Sequence, residues 1–341
     1  MKIALLGTGL GQAHASVLRA HPDVDDVIVF GRTPAKLAVI AAETGFATTT
    51  DLDSLYVDPT IDLVDICLPT PLHAEHAVRA LEAGKDVLCQ LPLATAMADA
   101  HRVIEAEQCT GRRVFVDMFP RFNPANTYLS AAVAEGRYGT LKSLEIEIRT
   151  SEQWPGYDRG FDTMAVDILH QYLDIVVGIL GRPETVTAVD VAEKGRGSAG
   201  EVLLTYPGAI ARCGSSSIMP TPHGSLESYR ATFTDGVLEM TTPLGSWDWQ
   251  SDCSTLTEFT EQGVRIIDPP ATAIIDHDLI DSATLHPQVS TVTNLTAAMI
   301  DHVLACLNGR ETSRVSAESV LDTLQLTLDI RDGSHRASIS V

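Results

Sequence analysis

Positive charge is scarce in this chain of 341 residues: 24 Lys and Arg stand against 45 Asp and Glu, a formal net charge of −21. Such a surface repels phosphate backbones and anionic lipid, so neither nucleic acid nor a membrane is expected as a partner. Long apolar runs are missing too. The longest nearly unbroken one covers residues 175–180, far short of the ~20 residues that span a bilayer. Cysteine is sparse and not paired by spacing. Cys67, Cys89, Cys109, Cys213, Cys253 and Cys306 form no C-x-x-C, and a chain this long needs no disulfide staples. Free thiols that mostly fill cores, in a reduced and cytoplasmic compartment, are expected. The histidines form no H-x-x-x-H or H-E-x-x-H motif, and nothing near His73 and His76 completes a ligand set, so no metal is expected.

What is present is a globular composition, 45% apolar and 20% charged, at a length suited to two domains. Met1-Lys2 and the apolar residues after them could pass for a short signal peptide. Gly7, Gly9 and Gly11 break its core, and only one basic residue precedes it, so the segment reads instead as a strand entering a glycine turn. From residue 1 to about 116 short apolar strands (2–6, 27–30, 63–68, 86–89, 114–116) alternate with helical stretches (13–20, 36–44, 74–83, 96–110). Right-handed βαβ crossovers and a parallel, doubly wound sheet follow.

Beyond Arg121 the pattern changes. A helix starting at Pro124 precedes Leu144, Ile146 and Ile148, which alternate with Glu145, Glu147 and Arg149 as in a strand with one wet face. Further strands are read at 185–191, 202–206, 209–213, 229–233, 255–259 and 264–267, with Asp235-Gly236 as a hairpin turn. Helices at 291–307 and 317–331 close the chain. The expected architecture is α/β: residues 1–120 form the doubly wound domain, and 121–341 form an α+β domain around a large, mostly antiparallel sheet. The last helices are the segment free to return to the first domain.

Gly7-Thr8-Gly9-Leu10-Gly11 sits between strand and helix, where glycines let backbone turn sharply and approach a pyrophosphate at the helix N-terminus. The spacing is one residue shorter than G-x-G-x-x-G. After the second strand, a carboxylate would bond a ribose 2′-hydroxyl and repel a 2′-phosphate. This chain has Phe30-Gly31-Arg32-Thr33 there, with Lys36 one turn on. Cations at a helix start oppose the helix dipole, which an anionic ligand would explain. NADP(H) is therefore favoured, with NAD(H) as the alternative.

ICLPTPLHAEHAVRALEAG (residues 66–84), KDVLCQLPLA (85–94), PRFNPAN (120–126) and the glycine turn with His14 resemble the glucose–fructose oxidoreductase / inositol dehydrogenase / MocA family. The resemblance extends over nearly the whole chain and implies an N-terminal Rossmann domain. It also implies hydride transfer between NAD(P)(H) and a carbinol or carbonyl carbon of sugars, inositols and related polyols. It places Leu68, Pro69, Thr70, His73, Gln90, Leu91 and Pro92 beside the cofactor. A homodimer or homotetramer through the C-terminal sheet is likewise implied.

Two departures stand out. Leu91 occupies the position of the lysine in the family's Glu-Lys-Pro motif and can neither donate a hydrogen bond nor carry charge. In Asp167-Ile-Leu-His-Gln-Tyr-Leu-Asp174, anchoring on the two aspartates puts Gln171 where the family has histidine, with His170 one residue early. Imidazole can act as acid or base near neutrality; a glutamine amide can only hydrogen-bond. On a helix, Asp167 could orient His170 while Gln171 meets substrate, or His170 could be a core residue. Asp167 and His170 are thus the catalytic candidates. Gln171, Arg121, Trp154, Tyr157 and Arg159 are the substrate-binding ones, with Arg149 near them and Trp247 and Trp249 read as a loop anchor or subunit contact. Three readings remain: an oxidoreductase, a nucleotide-binding regulator that has lost turnover, or an enzyme whose proton comes from water or a tyrosine.

Overall fold

The computed structural model describes residues 1–149, 165–193, 197–219, 225–244, 255–267 and 289–333. They fall into two compact units: residues 1–119 with 273–324, and residues 120–272 with 325–341.

The first unit opens with β1 (Lys2–Leu6), α1 (Gly11–Ala20), β2 (Asp26–Phe30), α2 (Pro34–Thr44) and β3 (Ala47–Thr49). It continues through α3 (Leu52–Val57), β4 (Leu63–Ile66), α4 (His73–Glu82), β5 (Asp86–Gln90), α5 (Met97–Thr110) and β6 (Val114–Asp117). The six strands pair in the order β3-β2-β1-β4-β5-β6, every neighbour parallel. Strand order reverses beside β1, the switch point where open α/β sheets bind ligands. β4 and β6 are buried at every position, as expected of a parallel sheet covered on both faces. The sequence reading missed β3 and α3. Both are short, and α3 rests on its cap: the Asp51 carboxylate accepts from the amides of Asp53 and Ser54.

In the second unit α6 (Pro124–Ala134) leads to β7 (Leu141–Arg149), a single π turn (Ala165–Leu169) and α7 (His170–Leu180). The strands β8 (Thr185–Glu193), β9 (Gly197–Tyr206), β10 (Ala209–Ser216), β11 (Ser225–Phe233), β12 (Val237–Leu244), β13 (Thr255–Thr260) and β14 (Gly263–Ile267) follow. The sheet runs β14-β13-β12-β11-β7-β10-β9-β8, antiparallel except for the β7–β10 pair. Leu144, Ile146 and Ile148 face a core that also holds Leu169, Leu173 and Val176, while Glu145, Glu147 and Arg149 lie on the other face. The Asp235-Gly236 turn joins β11 and β12, with the Phe233 amide donating to the Gly236 carbonyl at 2.8 Å.

Two helices end the described chain, α8 (Val289–Leu307) and α9 (Leu321–Arg331). α8 belongs to the first unit, where it packs on α1. In the same unit the Val116 amide donates to the Val315 carbonyl at 2.7 Å, so residues after α8 cover the free edge of β6. The later part of α9 belongs to the second unit, and its Leu326 and Ile330 join that core.

Candidate cofactor and substrate residues

The turn after β1 is built by glycines with different duties. Gly7 has φ +119°, and a Cβ on it would lie 2.2 Å from the Cys67 carbonyl oxygen, so only glycine fits against the end of β4. Its amide donates to the Phe30 carbonyl at 2.9 Å, joining the turn to the end of β2. Gly11 opens α1, and a Cβ there would meet Cys67 and Leu5 only at ordinary contact distance. Gly9 is exposed, has no left-handed φ, and a Cβ on it would have no described atom within 4 Å. No described neighbour within the protein demands glycine at this position. Thr8 is half-buried, with its methyl so near Gly31 that a Cβ on that residue would come within 2.6 Å of it. Leu10 is the N-cap residue of α1.

At the start of α2, Arg32, Thr33 and Lys36 are all exposed. Thr33 is the N-cap, and its hydroxyl makes no capping bond. Among the described residues no ion pair is found for Arg32 or Lys36, and β2 ends without a carboxylate in Val29-Phe30-Gly31. The N-terminus of α2 therefore offers two cations, a hydroxyl and a positive helix end to an anion.

Past β4, Pro69 is exposed and Leu68 and Thr70 are half-buried. His73, expected beside the cofactor, is 1% exposed. Its Nδ1 lies 2.8 Å from the Pro92 carbonyl oxygen and its Nε2 2.7 Å from that of Leu68. The imidazole is thus a tie between the segments that leave β4 and β5. Gln90, Leu91 and Pro92 are buried at the end of β5, and the Gln90 side-chain oxygen has no hydrogen-bond partner among the described residues.

Beneath the glycine turn lies a polar cluster that the sequence reading missed. His14 of α1 is 2% exposed, with Nδ1 at 2.8 Å from Asp65 of β4 and Nε2 at 3.1 Å from Asp117 of β6. Burial pulls the imidazole pKa down. Asp65, the neighbouring Cys67 and the hydrogen bonds to Asp117 and Asp65 outweigh it and hold His14 well above its ordinary value. Burial raises Asp117, opposed by His14, and drives the Cys67 thiol up to about 12. One donor atom each from His14, Asp65 and Cys67 falls within 4.8 Å of the others. Because both imidazole nitrogens face carboxylates, the cluster is an ion network. The signal was a carboxylate inside each of two apolar strands, Leu63-Val64-Asp65-Ile66 and Val114-Phe115-Val116-Asp117, since a buried charge requires a partner.

In the second unit, Arg121 pairs with Asp174. Its Nε and Nη2 each donate to a different carboxylate oxygen at 2.6 Å, and Asp174 is 3% exposed. This two-point fork ties Arg121, a substrate-binding candidate, to α7. His170 is fully buried, with Nδ1 2.9 Å from the Thr327 hydroxyl and Nε2 without a hydrogen-bond partner among the described residues. Burial lowers its pKa to about 4, against the pull of Asp174. Gln171 is half-buried, the more exposed of the two. Arg149 pairs with Glu147 on the outer face of β7. Asp167 belongs to the π turn, but its side chain lies outside the described residues, as do Trp154, Tyr157, Arg159, Trp247 and Trp249 entirely.

Residues 1–118 match the family described as "Oxidoreductase family, NAD-binding Rossmann fold". Over 149 residues the chain is 36% identical to 4-carboxy-2-hydroxymuconate-6-semialdehyde dehydrogenase of Sphingobium sp., covering 43% of this chain and 47% of that one. Over 183 residues it is 32% identical to inositol 2-dehydrogenase of Acidothermus cellulolyticus, covering 52% of each. The chain thus spans about half the length of these curated relatives in its matches. Among solved structures, a 3-ketoreductase from Actinomadura kijaniata, in complex with NADP and TDP-benzene, superposes with a TM-score of 0.79 at 20% identity. That match covers 99% of this chain and 98% of the other, and it shows a shared fold.

Proposed function

We infer, for a chain whose residues 1–118 match the Gfo/Idh/MocA oxidoreductase family, that it transfers hydride between a nicotinamide dinucleotide and a sugar-like, polyol or related small carbonyl compound. NADP(H) is the preferred cofactor in this reading. The observation that carries it is Gly9: an exposed glycine in open space, with no described neighbour that requires it, leaves room for a diphosphate to approach backbone amides. The bound dinucleotide supplies or accepts the hydride. Gly7, Thr8, Gly9, Leu10 and Gly11 would hold its diphosphate. Arg32, Thr33 and Lys36 would hold a 2′-phosphate, which a guanidinium meets in a fork. Leu68, Pro69, Thr70, Gln90, Leu91 and Pro92 would wall the nicotinamide end, with His73 bracing them from behind.

On the substrate side, Gln171 is the more exposed of the two candidates on α7, so its amide would donate to the substrate oxygen. His170 would support it from the core, and proton transfer would fall to Asp167. Trp154, Tyr157 and Arg159 complete the proposed substrate set, and Arg121 would act through Asp174.

Fluorescence titration with NADPH and NADH tests the cofactor half. Arg32→Asp is expected to weaken NADPH binding at least 10-fold and to leave NADH nearly unchanged; an unchanged NADPH affinity overturns the preference. Turnover with myo-inositol, sugars and keto compounds tests the rest. Asp167→Asn should abolish it, whereas binding without consumption of NADPH across the panel would point to the regulatory reading.

A further inference from the structure

His14 reaches two strands that are not neighbours. In the sheet order, β5 lies between β4 and β6. Asp65 is in register with Leu88 and Gln90 with Asp117, so Asp65, Gln90 and Asp117 point to one face, the face that carries His14. A neutral imidazole has one N–H and could donate to only one of these carboxylates. With both nitrogens at hydrogen-bond distance from carboxyl oxygens, the ring is held at both ends between two aspartates. All three side chains are 1–2% exposed.

The position of this network matters. His14 is the fourth residue of α1, whose first residue, Gly11, closes the glycine turn. Cys67, two residues after Asp65, provides both the carbonyl that excludes a side chain at Gly7 and the Cβ that Gly11 rests against. The turn is therefore seated on β4 through Cys67 and anchored to β4 and β6 through His14. Buried charge networks are costly to assemble and give directional, not merely apolar, fixation.

We propose that His14, clamped by Asp65 and Asp117, is a positioning residue for the cofactor: it fixes the first turn of α1 over β4 and β6 and thereby sets the amides of Gly9 to Gly11 against a diphosphate. The inference rests on the nicotinamide reading above. It assigns His14 no contact with the ligand.

The test uses the full chain and two readouts. Dissociation constants for NADPH and NADH are measured by fluorescence in the unaltered protein, His14→Gln and Asp117→Asn. Amide hydrogen exchange is followed by mass spectrometry without cofactor. His14→Gln is expected to weaken both nucleotides by a common factor of 10 to 100, because the diphosphate is shared. It should speed exchange in residues 7–14 while β4 and β5 keep their protection. Asp117→Asn leaves one carboxylate on the imidazole, should show the same effects more weakly, and carries the test if His14→Gln does not fold. Unchanged affinities overturn the proposal, as does loss of protection throughout β4, β5 and β6, which would make the network a general core element. Failure of the unaltered protein to bind either nucleotide overturns the nicotinamide reading itself and this proposal with it.

Discussion

Gly7 and Gly9 share one turn and carry opposite duties. Gly7→Ala forces a Cβ onto the Cys67 carbonyl and a methyl into a left-handed backbone, so a stability loss of roughly 3 kcal/mol is expected in denaturant melts. The Cβ of Gly9→Val has no described atom within 4 Å; stability should stay within about 0.5 kcal/mol, while NADPH affinity should fall at least 10-fold in a titration. A large stability loss at Gly9 would remove the reason for placing a ligand there. Two buried histidines should act on opposite sides of neutrality. His170 has its folded pKa lowered to about 4, so the stability it contributes is complete above its unfolded value of ~6.5 and is lost as pH falls toward 4, by up to about 3 kcal/mol. Denaturant midpoints between pH 7 and 4 should show this slope, and His170→Leu should flatten it. His14 is held above its ordinary value by Asp65, Cys67 and Asp117. Its contribution is complete below ~6.5 and is lost as pH rises through the folded value.

At the scale of elements, an ion pair ties Arg121, near the start of the second unit, to α7. Arg121→Ala would leave Asp174, 3% exposed, as a buried carboxylate without its fork. A loss of about 3–5 kcal/mol is expected, to be read from the denaturant midpoint, with Arg121→Lys recovering only part because an ammonium cannot match the two-point geometry. The same stretch shows why the position of His170 was not legible. The sequence reading placed residues 167–174 on one α-helix, whose ~100° per residue fixes which side chains share a face. The structure inserts a π turn over Ala165–Leu169, with i→i+5 bonding, before α7 begins at His170. That breaks the register which a single α-helix would carry into α7, where His170 faces Thr327. By contrast, the β7 alternation of apolar and charged residues was readable, because a period of two survives wherever one face is buried.

For the whole molecule, the first unit is discontinuous in sequence, and this has a measurable consequence. Residues 1–119 without the later segment would lose α8 from the face of α1, the Arg113 bonds to the Cys306 and Leu307 carbonyls, and the cover of the β6 edge. A fragment of residues 1–119 is expected to aggregate in size-exclusion runs, while adding residues 289–324 in trans should restore a soluble, melting species. Composition, periodicity and turn chemistry by themselves determined the two sheet types, most of their strands, the glycine turn after β1 and the cations at α2. Those are local properties, set by backbone geometry and by which side chains tolerate burial. Only tertiary structure decided that His14 bridges β4 and β6, that Arg121 meets Asp174 and not open space, and that His73 braces two carbonyls. These links join residues 5 to 103 positions apart, and their pairing depends on how helices seat over strands, which no period along the chain encodes.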